Sequence, residues 1–186
     1  MMTAVSWPCA RRHAMRGFTL VELMVVVAVL AALLGVGAPS FMEWIQNTRI
    51  RSAAESLQNG LQIARAEAVR RNANVEFVLQ GTKGAWTVRL QQGATFLQGS
   101  SAEGGANVTV ASTPAGATML TYNGMGRVST PNADGSAPIT QLAVDLPASV
   151  LSADKTRDLR VTVGVGGEIR MCDPDAGLPE DDPRRC

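Results

Sequence analysis

The sequence predicts an α+β protein: a long N-terminal helix, membrane-spanning in its first half and amphipathic in its second, packed on an antiparallel β-sheet body. Three observations carry this. An apolar run fills Phe18 to Ala38 with a single acid in it. Apolar residues then recur at three- and four-residue steps from Ile50 to Ala68. From Asn74 on, the apolar period becomes two. At 186 residues there is room for one ordinary domain and an extra element. The near balance of 17 basic and 16 acidic residues, with 46% apolar residues, excludes a disordered polyelectrolyte. It also gives no global attraction for nucleic acid.

Residues 1–17 carry Arg11, Arg12 and Arg16 and no acid. Phe18 to Ala38 is 21 residues, close to the roughly 20 that cross a bilayer core as a helix. The leader arginines favour a cytoplasmic N-terminus, which puts the C-terminal body in the periplasm. Arg49 and Arg51 beyond the run weaken that preference without reversing it. Several readings compete. A secretory signal needs a small-residue cleavage site, and Val36-Gly-Ala38 is followed at once by Pro39. A plain anchor leaves Glu22 unexplained, at a cost of about 2.5–3.5 kcal/mol deep in lipid. A twin-arginine signal at Arg11-Arg12 is weaker still, because His-Ala-Met follows it. A carboxyl that snorkels to the membrane face remains the bland account of Glu22.

The remaining reading places the processing signal before the helix. Arg16-Gly-Phe-Thr-Leu-Val-Glu22 ahead of a long apolar helix resembles the prepilin signature of type IV pilins and type II secretion pseudopilins. The resemblance implies cleavage between Gly17 and Phe18 by a prepilin peptidase, N-methylation of Phe18, and a role in assembly for Glu22. Cleavage creates an ammonium one helical turn from Glu22. In a stack of such helices, that carboxylate can meet the N-terminus of a neighbour, which favours assembly over life in lipid. Gly35, Gly37 and Pro39 weaken the helix where the apolar run ends, and predict a kink or hinge.

Beyond Pro39, Ile50, Ala53, Ala54, Leu57, Leu61, Ala64 and Ala68 form one helical face, with Arg49, Arg51, Gln58, Gln62, Arg65 and Arg70 opposite. Helix from Phe18 to Asn72 would measure roughly 80 Å. Within it, Leu57, Leu61, Ala64, Arg65, Glu67, Ala68 and Arg71 are similar to a stretch of the GspH/FimT family. For most of these residues a core stripe with a solvated face is sufficient explanation.

The body reads as strands and turns. Val75–Gln80 and Trp86–Leu90 flank the Gly81–Gly84 turn as a hairpin. Strands are expected at about 107–111, 117–122 and 139–146, and a last hairpin at 158–165 and 168–171 around Gly166-Gly167. Residues 99–106 and 130–138 read as surface loops. The resemblance extends to Leu120–Gly126 and Arg160–Cys172, although Glu168 stands where the family often has a basic residue. The expected organisation is a leader (1–17), a transmembrane helix and junction (18–48), and a periplasmic pilin-like domain (49–186). That domain comprises an amphipathic helix (49–72), a sheet body (73–171) and a tail (172–186).

Removal of the leader would take Cys9 and His13 with it, leaving Cys172 and Cys186. An even pair in an oxidising compartment reads as a disulfide, with two free thiols the alternative. The bridge would pin a polar, proline-rich tail at a gain of about 3 kcal/mol. A mature chain without histidine lacks the usual general base and the commonest metal ligand. Ser152-Ala-Asp-Lys155 matches S-x-x-K without its companion motifs, so no enzyme, cofactor or metal is expected.

The resemblance implies a minor pilin or minor pseudopilin at the tip or initiating complex of a type IV pilus or secretion pseudopilus. Its partners would be other minor subunits, the major subunit, the peptidase and, before assembly, inner-membrane lipid. The terminal cysteine pair favours the pilus by resemblance alone. The second reading is DNA capture through Arg157, Arg160, Arg170, Arg184 and Arg185. Against it, residues 73–186 hold nine basic and twelve acidic side chains, a balance of −3. A membrane-anchored periplasmic enzyme is the third.

Overall fold

The computed structural model describes residues 18–91, 96–101 and 107–186. The expected leader, with Cys9, His13 and Gly17, lies outside them, as does most of the 99–106 segment. The chain divides into two units, Met1–Pro39 and Ser40–Cys186. Helix α1 runs from Leu20 to Arg71, through Gly35, Gly37 and Pro39. No single helix among the described residues is long and apolar enough to cross a membrane, while Leu20–Gly35 and Ser40–Arg71 meet that test together.

In the second unit the helical stripe expected from the periodicity is the core. Ile50, Ala54, Leu57, Leu61, Ala64 and Ala68 are fully buried. They share one cluster with Phe77, Trp86, Val88, Leu120, Leu142 and Val161. The helix stops at Asn72, which takes a left-handed backbone (φ 47°). Ala73 N–H donates to the Ala68 carbonyl and Asn72 N–H to the Val69 carbonyl, both at 3.2 Å. This is a Schellman cap that satisfies the last carbonyls, and it turns the chain into the first strand.

Two antiparallel four-stranded sheets follow, where one is expected from the sequence. The first, in the order β3-β2-β1-β5, contains β1 (Val75–Gln80), β2 (Ala85–Leu90), β3 (Phe96–Ser100) and β5 (Met119–Tyr122). The second, in the order β4-β6-β7-β8, contains β4 (Thr109–Thr113), β6 (Gln141–Asp145), β7 (Leu159–Val163) and β8 (Ile169–Cys172). The split arises because β4 pairs with β6, from Thr109↔Asp145 to Thr113↔Gln141, and not with the strand before it. The expected hairpin is present in register Val75↔Leu90 to Gln80↔Ala85. Across it, nearly buried Glu76 accepts from Arg89 Nε at 2.7 Å, which accounts for an acid on a covered strand.

Two expectations are corrected. Gly99 and Ser100 belong to β3 and not to a loop; this mostly exposed edge strand is held by backbone pairing to β2, which leaves no apolar alternation to read. The strand expected at 139–146 begins at Gln141, because Ile139 N–H donates to Met119 O at 3.0 Å and so joins the other sheet.

The 130–138 loop is ordered from within by Asn132, which is 2% exposed. Its side-chain oxygen accepts from Thr121 N–H at 3.0 Å, and its amide donates to Met119 O at 3.1 Å. The side chain thereby fills the gap on the edge of β5 between Val128–Ser129 and Ile139, whose backbones bond the same edge. Asn132→Leu strands the buried Thr121 N–H, whereas Met119 O keeps its bond from Ile139 N–H, and should lower stability by about 1–3 kcal/mol. The check is the urea midpoint at unchanged m-value.

Candidate functional site

At the N-terminal end, Thr19 Oγ1 accepts from Glu22 N–H at 3.2 Å and Thr19 O accepts from Leu23 N–H at 3.1 Å. Thr19-Leu-Val-Glu22 is thus an N-cap with the acid at the third helical position, where a carboxylate also complements the helix dipole. The T-x-x-E spacing is the signal for Thr19, a residue that reading the segment as a processing motif passes over. Beyond it Leu20, Val21, Leu23, Met24 and the residues up to Leu34 present large apolar side chains unburied by the rest of the chain. Contiguous exposure on this scale marks a membrane or protein contact surface. Among the described residues Glu22 makes no ion pair.

The second feature joins three distant segments. Arg65, placed by periodicity on the solvated face of α1, donates from Nε to Gly126 O at 3.1 Å. Gly126 (φ 73°) and Gly167 (φ 85°) pack together there, and Val128 N–H donates to Val165 O at 3.2 Å. Gly124 rests on Asn72 at the end of the helix. The Leu120–Gly126 and Arg160–Cys172 segments, separate in sequence, therefore meet on the Arg65 turn of α1. Burial pushes the Tyr122 phenol well above its ordinary value; the Arg65 charge opposes this and Glu168 reinforces it, since both face the same junction. Val69, Met125 and Val165 stay exposed.

The third feature is the tail. Cys172 and Cys186 form a disulfide. Asp173 N–H donates to Arg184 O and Cys186 N–H to Asp173 O, so the tail runs parallel to the end of β8. Of the five arginines, Arg170 and Arg185 line one surface hollow with Glu180 and Asp182. Arg157 N–H is held by Asn47 Oδ1 on α1, while Arg160 sits on β7 opposite Cys172. The Arg170 guanidinium donates to the carbonyls of Pro183 and Arg185. Arg184 pairs with Asp182 at 2.7 Å, which holds that carboxyl down at about 2, and Arg185 reaches Leu178 O. Among the described residues no group of His, Cys, Asp and Glu is arranged to hold a metal.

At this same end of the second sheet, burial and then the neighbouring Asp145 carboxyl raise Asp158 to about 6. A carboxyl raised above its unfolded value makes the folded state hold the proton longer. Stability should therefore fall as pH rises from about 4 to about 6 on account of this group. Asp158→Asn should flatten that part of the profile, measured as the urea midpoint against pH.

Residues 53–167, 115 of the 186, match the family described as Type II transport protein GspH. Residues 12–38 match the prokaryotic N-terminal methylation motif. No curated protein sequence matches the chain. Among solved structures, the type IV minor pilin FimU of Pseudomonas aeruginosa superposes with a TM-score of 0.52 at 18% identity, over 69% of this chain and 91% of that one. A second crystal form of FimU gives 0.48 at 20% identity, over 65% and 90%. The shared fold is a pilin fold, a helix with antiparallel sheets. With a methylation motif ahead of a match that covers more than half of it, the chain belongs to the GspH family of minor pilins and pseudopilins.

Proposed function

We propose that this protein is a non-enzymatic subunit of the tip or initiating complex of a type IV pilus or a type II secretion pseudopilus. Prepilin peptidase cuts between Gly17 and Phe18, and Phe18 is N-methylated. The helix beginning there holds the subunit in the inner membrane, N-terminus in the cytoplasm and body in the periplasm, until other pilin subunits take it up. The reading rests on one observation above all: a methylation motif over 12–38 precedes a GspH match over 53–167 in the same chain. Glu22 selects the assembled state, because its carboxylate gains the ammonium of a neighbouring Phe18 in a helix bundle and has no such partner in lipid. Gly35, Gly37 and Pro39 are where the helix loosens on assembly.

Mass spectrometry of the membrane-derived protein should find a chain that begins with methylated Phe18. An intact leader in cells with active peptidase would sink the proposal. Glu22→Ala should be processed normally yet be missing from sheared filaments, at a loss of about tenfold or more. Equal incorporation would remove the carboxylate from the mechanism.

A further inference from the structure

Just past the apolar run, α1 changes character within a few residues. Phe41 and Trp44 are 59% and 63% exposed, and their rings stack at a centroid distance of 5.9 Å. Three positions apart, they share the helix face that points away from the core, since Gln46 and Ile50 on the other side are buried. Two large aromatic rings left in water this close to the end of an apolar run form an apolar patch that calls for a partner. Arg49 and Arg51 follow, and the 152–157 turn is fastened beside this segment. Lys155 Nζ pairs with Glu43, and Asn47 bonds both Lys155 O and Arg157 N–H. This stretch of helix and turn thus presents aromatic rings first and cations next.

The chain's own ruler says where that pattern lies. Leu20, where the helix begins, to Pro39 is about 30 Å of helix at roughly 1.5 Å per residue, the thickness of the hydrocarbon core. Phe41 and Trp44 follow Pro39 by no more than about 3 and 7.5 Å of helix, within the headgroup band, and Arg51 by about 18 Å. Amphipathic rings collect in that band, where one part is apolar and the rest is wet, and guanidinium groups follow on its aqueous side. We propose that Phe41 and Trp44 are an interfacial anchor that docks the periplasmic body onto the phospholipid headgroups of the outer leaflet. The neighbouring cations Arg49 and Arg157, neither of which forms an ion pair among the described residues, face the lipid phosphates. This holds the unassembled subunit at a fixed depth, and the anchor must leave the headgroups when the subunit is extracted into a filament.

The inference rests on the membrane reading of the N-terminal helix, and the test separates the two. The full chain carrying Trp7→Phe is reconstituted into phosphatidylethanolamine–phosphatidylglycerol vesicles with bromines either near the glycerol end or near the methyl end of the acyl chains. The contribution of Trp44 is the difference from the same protein with Trp44→Phe, because Trp86 is 2% exposed and stays dark to the quencher. Shallow bromines should quench Trp44 by roughly half and deep bromines much less. A Leu30→Trp chain should show the reverse order. If Leu30→Trp is quenched by deep bromines while Trp44 is quenched by neither, the anchor is wrong and the membrane helix stands. If neither tryptophan is quenched, the membrane reading fails as well. An unquenched Trp44 whose emission depends on the protein-to-lipid ratio would assign the ring pair to a second copy of the chain, and would overturn the proposal.

Discussion

Gly167→Val should leave the body largely unfolded at room temperature, losing more than about 3 kcal/mol, and Gly167→Ala should lose about 2–3 kcal/mol. Two independent costs fall on the same atom. The backbone sits at φ 85°, where any Cβ is strained by about 1–2 kcal/mol. That Cβ would also overlap the carbonyl oxygen of Gly126, which is already committed to Arg65 Nε at 3.1 Å. Retreat by Gly126 breaks the bond to the helix, and retreat by the hairpin breaks Val128 N–H to Val165 O. Gly135 is the control. It has φ 82° and nothing within 4 Å of where a Cβ would stand, so Gly135→Ala bears the backbone strain alone. Urea unfolding followed by circular dichroism decides it: a Gly167→Ala loss no larger than that of Gly135→Ala would show that the Gly126 contact contributes nothing.

Gly60→Val should cost about 3–5 kcal/mol and Gly60→Ala about 1–2 kcal/mol, although glycine inside a helix is itself unfavourable by about 1 kcal/mol against alanine. A Cβ at 60 would lie 2.7 Å from the Trp86 ring and 2.9 Å from Phe77. Neither ring is free to move. They stack at 5.9 Å, and Trp86 Nε1 donates to Ser56 Oγ one turn away on the same helix, at 3.1 Å. Glycine therefore sets how closely α1 approaches β1 and β2. Trp86→Phe should recover part of the Gly60→Ala loss, read as a coupling energy in a double-mutant cycle on thermal or urea stability.

Local features of this fold are legible in the sequence and non-local ones are not. The stripe from Ile50 to Ala68 and the 75–90 hairpin follow from periods that a few neighbouring residues enforce. Pairing of β4 with β6 joins strands about thirty residues apart, and nothing in either strand encodes its partner, so two sheets read as one. β3 escapes notice because backbone bonding, not side-chain burial, makes it a strand. At the candidate sites, Glu22 stands out because an acid in an apolar run is costly, and the cysteines because only two lie beyond the expected leader. Arg65 reads as a solvated arginine. Its partner Gly126 lies 61 positions away, and only the fold brings them together.

The tail has a further consequence for the life of the chain before it is oxidised. β8 is the last strand of its sheet, and the Cys172–Cys186 link with the Arg170 clamp lays residues 183–186 along its end. An uncovered terminal strand is a template for sticking to other chains. In a reducing cytoplasm the lid would be loose, so a copy delayed on its way out would be prone to clump through that rim. On the export proposed above, oxidation outside the cytoplasm would serve as a solubility safeguard as much as a source of rigidity.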